Sequence, residues 1–391
     1  MTVVKPITIG IDATNLRVGG GVTHLVEMLR VAQPKLHGIE RFVVWGGMPT
    51  LQLLDERPWL TKITPPALDK GLFQRTLWQR YSLSHAARDA GCDVLFVPGG
   101  SYAGNFHPVV TMSRNLLPFE MGELLRYGWS LLTLKLLLLR LIQSRSFRKT
   151  DGVIFLTEYA RDVVLCVTGK LFGQTFIVPH GLNPRFNRAP KLQRAIAEYD
   201  HAHPYRVLYV SIIDQYKHQW HVVEAVAALR KQGFPIVLDL VGPAYPAALK
   251  RLNRTIDLVD AERRWVHYHG AIPFNELHLS YAKADLGLFA SSCENMPNIL
   301  LETMASGLPI ACSNWGPMPE VLGQAGMFFN PEQPEDIARV LREFIESPQT
   351  RTELALASYE RVQEYSWQRC ADETCKFLVG VQQLKKGIID V

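Results

Sequence analysis

Short apolar runs rich in β-branched residues alternate with amphipathic helical segments along almost the whole chain, and the alternation starts afresh near its middle. In the first half, ITIGIDATN reads as a strand, Val18 to Val22 as a glycine loop and Thr23 to Ala32 as a helix. The further strands are RFVVWGG, DVLFVPG, HPVVTMS and DGVIFLT. Strand, turn and helix in that order form the unit from which parallel sheets are built. The apolar runs FIVPHG and RVLYVS flank a polar segment from Pro184 to His203, containing the helix-like NRAPKLQRAIAEYDHAHP, and the domain boundary is expected there. Beyond it come the strands RVLYVSI, PIVLDLVGP, WVHYHGA, DLGLFAS and PIACSN. Helices are read at His218 to Gln232, around Tyr245 to Leu258, in ELHLSYAKA, near Asn298 to Ser306, at Pro334 to Glu346 and over most of Tyr365 to Lys386. Two doubly wound α/β domains in series, facing across a cleft, are therefore predicted. They are assigned to residues 1–185 and 186–365, with 366–391 as a C-terminal helix packing back on the first domain. A chain of 391 residues has ample material for two cores.

Other architectures fall away. No short repeat period is visible, which excludes a solenoid. The 28 Gly and 24 Pro are near-average usage, so collagen-like and low-complexity readings fail as well. Cys92, Cys166, Cys293, Cys312, Cys370 and Cys375 are scattered with no C-x-x-C pair, which fits a reduced intracellular protein better than a disulfide framework or a zinc site, and no metal site is expected. The opening MTVVKPITIGIDATN lacks the unbroken apolar core of a secretory signal, and the longest apolar stretch, Trp129 to Ile142, is interrupted by Lys135. A cytoplasmic protein without a membrane span is the expectation. Residues 1–200 carry 24 Lys and Arg against 15 Asp and Glu, whereas residues 201–391 carry 18 against 22. The basic first half points to an anionic partner: nucleic acid, an acidic membrane surface or a phosphorylated substrate. The cations are spread rather than clustered with aromatics, and no nucleic-acid motif accompanies them, so no nucleic-acid partner is expected.

Three stretches could carry chemistry. RVGGGVTHL places Gly19, Gly20 and Gly21 between a strand and a helix, where absent side chains let backbone N–H groups approach a diphosphate; a tight structural turn would equally use three glycines. Ser211 ends a strand, and Lys217 follows six residues later at a helix start, where the dipole disfavours a cation unless an anionic ligand is near. The stretch LFASSCENMPNILLETMASGLPI holds Glu294 in a loop and Glu302 inside a helix from about Pro297 to Ser306, with Gly307 as its stop. Glu302 could accept hydrogen bonds from ribose hydroxyls, with Glu294 near the free amides that face an anion. A capping carboxylate and an exposed helical glutamate are the plain alternative.

The E-x7-E pair Glu294 and Glu302, followed by TMASGLPI and by GPMPE with Glu320, resembles the donor-site signature of the retaining glycosyltransferases of family 4. The GGG loop, the Lys217 segment, VPHGLN and the closing YSWQ fall in that family's order, so the resemblance covers nearly the whole chain. It implies the GT-B architecture of two facing Rossmann-like domains. It also implies transfer of a sugar, with retention at the anomeric carbon, from a UDP- or GDP-linked donor to a hydroxyl of a glycan acceptor. Residue by residue, Glu294 would hold donor-sugar hydroxyls, Glu302 the ribose and Lys217 the diphosphate. The amides of Asn298, Ile299 and Leu300 would add to the phosphate cradle, Ser211 would also belong to the donor site, and Gly270, Ala271 and Ile272 would flank the base. Gly20 and Gly21, beside Gly19, would approach the donor from the other domain on closure.

Two positions depart from the pattern. Ser211 and Ile212 stand where a Gly-Arg pair is usual, so Arg114 is the candidate to replace the lost cation in catalysis, alongside Glu294 and Lys217. Ser113 stands where the family often has a histidine, leaving Ser113, Asn115 and His180 as acceptor-side candidates, with His24 also available to line the cleft. No D-x-D pair occurs, so neither a metal nor a cofactor is expected at the donor site, the nucleotide sugar serving as co-substrate. The departing phosphate oxygen would take the acceptor proton on the same face. The segment LLRYGWSLLTLKLLLLRLIQSRSFRK suits an interior helix somewhat better than a membrane-surface helix with snorkelling cations. The basic first domain nevertheless favours a peripheral enzyme on the inner membrane face, acting on a lipid-linked glycan in polysaccharide or lipopolysaccharide assembly. A nucleotide-sugar epimerase and a catalytically silent binding protein of the same fold are the rival functions.

Overall fold

The computed structural model describes residues 6–17, 19–385 and 387; Val18 of the glycine loop, Lys386 and residues 1–5 lie outside that range. The chain divides into two compact units. Residues up to Phe119, Ser130–Gly181 and Tyr365 onward form the first; Glu120–Trp129 and Leu182–Glu364 form the second. The C-terminal helix Trp367–Lys385 belongs to the first unit, where it packs on the helix Gly20–Val31. Residues 120–129, which the sequence assigns to the first domain, belong to the second unit instead.

The first unit contains seven strands: β1 (Ile7–Ala13), β2 (Ile39–Gly46), β3 (Leu60–Ile63), β4 (Val94–Val97), β5 (Val109–Met112), β6 (Gly152–Phe155) and β7 (Gln174–Ile177). They form one sheet in the order β3-β2-β1-β4-β5-β6-β7, with every pairing parallel. β1, β4, β5 and β6 are buried along their whole length, including Thr8 and Asp12 of β1 and Thr111 of β5, as befits central strands of a parallel sheet. Six strands make the second sheet: β8 (Tyr205–Val210), β9 (Ile236–Val241), β10 (Val266–Tyr268), β11 (Leu286–Phe289), β12 (Ile310–Ser313) and β13 (Met327–Phe329). Their order is β10-β9-β8-β11-β12-β13, again all parallel. In each sheet the order reverses once, between β1 and β4 and between β8 and β11. Loops at such a switch point are where an open α/β sheet presents ligand-binding groups.

Several readings need correction. The helix after β1 starts at Gly20 rather than Thr23, so two of the glycines form its first turn. The stretch read as helix-like before β8 contains only the one-turn 3-10 segment Ile196–Glu198, because its proline and polar residues serve tethering instead. There Tyr199 Oη and Lys191 Nζ both reach Asp285 Oδ1, at 3.2 and 2.8 Å. The short edge strands β3 and β13, of four and three residues, are additional to the strands expected from sequence.

The leucine-rich helix Leu131–Lys149 departs furthest from expectation. It buries Thr133, Leu136, Gln143, Ser144, Ser146 and Phe147, while Leu131, Leu134, Leu138 and Leu141 are 88, 65, 56 and 61% exposed. These four recur at helical spacing and form one apolar stripe facing outward, so the helix is not an interior one. Arg148 Nε and Lys149 Nζ are tied to the carbonyls of Thr168 and Gly104, whereas Lys135 and Arg145 are exposed.

Candidate functional site

The second unit assembles its candidates at the β8/β11 switch point. After β8 the chain makes a 3-10 turn, Gln215–Lys217, capped by Asp214, whose side chain accepts the Gln215 N–H at 2.7 Å. The Lys217 carbonyl accepts from Tyr209 Oη at 2.8 Å. The Lys217 side chain is buried, ion-paired to Glu294, and lies 4.9 and 5.2 Å from the ring centroids of Tyr216 and Phe289. The two residues singled out by sequence, 77 positions apart, are therefore in direct contact. His218, with φ of 52°, then opens the helix Gln219–Lys231.

Glu302 sits on the helix Asn298–Ala305 with 9% exposure, and Tyr281 Oη donates to its carboxyl at 3.3 Å. Burial pushes its pKa up to about 8, only partly opposed by the Tyr281 bond, so the carboxyl is mostly protonated at neutral pH. In that state it can donate a hydrogen bond as well as accept one. Of the three amides assigned to a phosphate cradle, Asn298 N donates to Met296 O at 3.0 Å and Leu300 N to Pro297 O at 2.9 Å. A phosphate would have to share those two donors, which leaves Ile299 as the best placed of the three. Gly307 ends the segment at φ of 66°, and a Cβ there would come within 2.6 Å of the Arg188 carbonyl. Ser211 is buried with its amide on Val241 O, and Ile212 is half exposed. Gly270, Ala271 and Ile272 follow β10, with the Gly270 carbonyl held by Gly242 N at 2.8 Å.

Sequence reasoning missed the support behind this site. Ser292, two residues before Glu294, donates to Glu123 at 2.8 Å and lies 3.0 Å from His218 Nε2. Arg126 clamps Glu123 at 2.7 and 3.0 Å and also pairs with Glu332. Tyr127 Oη donates to Asp214 at 2.8 Å. Burial, with the nearby Arg126 charge adding to it, holds His218 down to about 3, so its imidazole stays neutral. Nothing in the sequence around residues 120–129 signals this role, because every partner is distant along the chain.

The first unit gathers a separate cluster. Gly19 caps the helix Gly20–Val31 with φ of 74°. Arg114 lies against the first turn: a Cβ on Gly21 would stand 2.5 Å from Arg114 Nη1, and one on Gly20 3.5 Å from Nη2. Among the described residues no carboxylate pairs with Arg114, and its buried Nε has no hydrogen-bond partner. Burial pulls its pKa down to about 10. His24 is fully buried with neither ring nitrogen bonded, its ring 5.0 Å from His180 and 5.8 Å from Trp367. Burial first, then His180 and Arg114, keep His24 neutral. Ser113 is buried with its amide on Ile154 O, while exposed Asn115 accepts from Leu117 N and closes its own turn.

Two Rossmann-like units, each presenting glycine-turn or lysine–carboxylate chemistry at a switch point, define the GT-B fold class. Residues 204–347 match the family described as glycosyl transferases group 1. Among relatives, the O-antigen chain mannosyltransferase B of Escherichia coli is 28% identical over 110 residues, 28% of this chain and 29% of that protein. A GDP-mannose-dependent α-(1-6)-phosphatidylinositol monomannoside mannosyltransferase of Mycobacterium tuberculosis is 24% identical over 65% of this chain and 67% of its own length. Among solved structures, Anabaena HepE in complex with UDP and glucose aligns with a TM-score of 0.69 and 17% identity, covering 96% of this chain and all of that one. The matches to the first relatives span well under half of those proteins.

Proposed function

We propose that the chain is a glycosyltransferase that moves a hexosyl group, with retention, from a UDP- or GDP-sugar to a hydroxyl of a glycan, in the manner of family 4. The buried Lys217 paired with Glu294 carries this reading. A desolvated ammonium is costly to maintain, and here a single partly exposed carboxylate compensates it. An arriving diphosphate offers that ammonium a second, doubly charged partner. Lys217 then neutralises the leaving group while Glu294 is released toward sugar hydroxyls, and no divalent ion is required by this donor set. Protonated Glu302 suits a ribose diol, to which it can both donate and accept. Departure of the phosphate would leave its oxygen to take the acceptor proton. In the first unit, Arg114 against the glycine turn, paired with no carboxylate among the described residues, provides a cation for an anionic portion of a substrate.

An O-antigen mannosyltransferase among the relatives supports a setting in lipopolysaccharide or cell-surface polysaccharide assembly, and the GDP-mannose-dependent relative supports a nucleotide-sugar donor. Among the described residues no helix is long and apolar enough to cross a membrane. The outward leucine stripe of Leu131–Lys149, with Lys135 and Arg145 beside it, suits peripheral docking on an anionic inner-face bilayer, where a lipid-linked acceptor would be met. The deciding experiment is calorimetric titration with UDP, GDP and ADP, each with and without chelator. Micromolar binding of one nucleotide that survives chelation supports the reading and identifies the base. Absence of binding by all three refutes it in favour of a silent scaffold, and donor isomerised without acceptor would indicate an epimerase.

A further inference from the structure

We propose that Asp239, His267 and His269 form a metal site, taking a borderline divalent cation of the zinc type, that pins the edge strand β10 to β9. The argument starts from strand geometry. His267 pairs in register with Asp239 across the parallel β9/β10 ladder, and alternation along a strand puts His267 and His269 on the same face. The two imidazoles converge on one oxygen: His269 Nε2 is 2.7 Å and His267 Nδ1 3.5 Å from Asp239 Oδ1. The potential ligand atoms of all three residues lie within 4.8 Å of one another. A tetrahedral ion with bonds of roughly 2.0–2.2 Å holds its ligand atoms about 3.4 Å apart, so modest side-chain rotation suffices.

The surroundings fit as well. Arg206 Nη1 donates to Asp239 Oδ2 at 2.9 Å, fixing the carboxylate so that Oδ1 faces the histidines; such outer partners routinely orient ligating groups. Asp239 and His269 also line a cavity of about 490 Å³ with Ser280 and Lys283, which gives an entry path and room for a water or an anion as fourth ligand. Two imidazoles and one carboxylate suit zinc, whereas calcium and magnesium demand mostly oxygen ligands. The strand being held has only three residues and pairs on one side alone, so a tie across the ladder matters most there. His269 also immediately precedes Gly270–Ile272, so the ion would fix the start of that loop. The proposal does not depend on the glycosyltransferase reading, since none of its ligands belongs to the Lys217–Glu294 site.

The test uses the intact chain, stripped with chelator and dialysed against zinc chloride, with bound metal counted by mass spectrometry. One zinc ion per chain is expected, with His267→Ala and His269→Ala each weakening binding at least about tenfold, and His203→Ala leaving it unchanged. Cobalt(II) loading of the parent should give the intense visible bands of tetrahedral coordination, a readout that does not depend on the variants folding. Failure to retain zinc, equal retention by the ligand variants, or octahedral cobalt spectra would each overturn the site.

Discussion

Replacing Glu302 by glutamine should make the protein more stable, and by an amount set by pH. The carboxyl is buried, and its pKa rises from an ordinary 4.5 to about 8. Between those two values the native chain holds a proton that the unfolded chain has lost, so native stability falls as pH rises through that window. One pKa unit corresponds to about 1.36 kcal/mol. The group therefore contributes no penalty below pH 4.5, costs roughly 3 kcal/mol at pH 7 and levels off near 5 kcal/mol above pH 8. Glu302→Gln keeps the shape and the hydrogen bond to Tyr281 while removing the ionisable group. Urea unfolding of parent and variant should thus coincide at pH 4.5 and separate progressively toward pH 9, with the variant the more stable. A constant difference across that range would refute the buried, proton-bearing carboxyl. Nucleotide binding at neutral pH should survive in the variant, because an amide still donates and accepts toward a ribose.

Lys217→Ala removes the cation that pairs with Glu294 and should weaken nucleoside diphosphate binding by at least about tenfold, with nucleoside binding little changed; equal losses by calorimetry would take Lys217 out of the phosphate site. Arg114→Met replaces a desolvated cation that pairs with no carboxylate among the described residues and whose pKa is depressed to about 10, so thermal and urea unfolding should show a gain of up to about 3 kcal/mol while transfer activity drops; destabilisation would contradict the desolvated-charge argument. The double substitution Leu134→Glu and Leu138→Glu should abolish co-sedimentation with anionic vesicles without lowering the melting temperature, because both side chains are exposed. Undiminished sedimentation would remove the helix from the membrane proposal.

What could be read from sequence was whatever is local. Most buried strands announce themselves as short runs dominated by apolar residues, and the signature around Glu294 and Glu302 is confined to one loop and one short helix. The Lys217 position was legible for a similar reason, as a cation set against a helix dipole. Illegible features all depend on pairing between distant residues. Glu123 meets Ser292 across 169 positions, and neither residue type at its own position hints at the other. Asp239 becomes a partner of His267 only through strand register. The outward turn of the leucine stripe was hidden because periodicity defines a face but does not say whether that face is covered.

The helix Trp367–Lys385 packs on Gly20–Val31, and Trp367 stands beside the rings of His24 and His180. Its place in the chain imposes an order of events during synthesis. All six strands of the second sheet and most of its helices leave the ribosome before the residues that cover His24 do. The unit begun first is therefore the one completed last, and its nascent form must wait, with part of its interior uncovered, while the later unit folds.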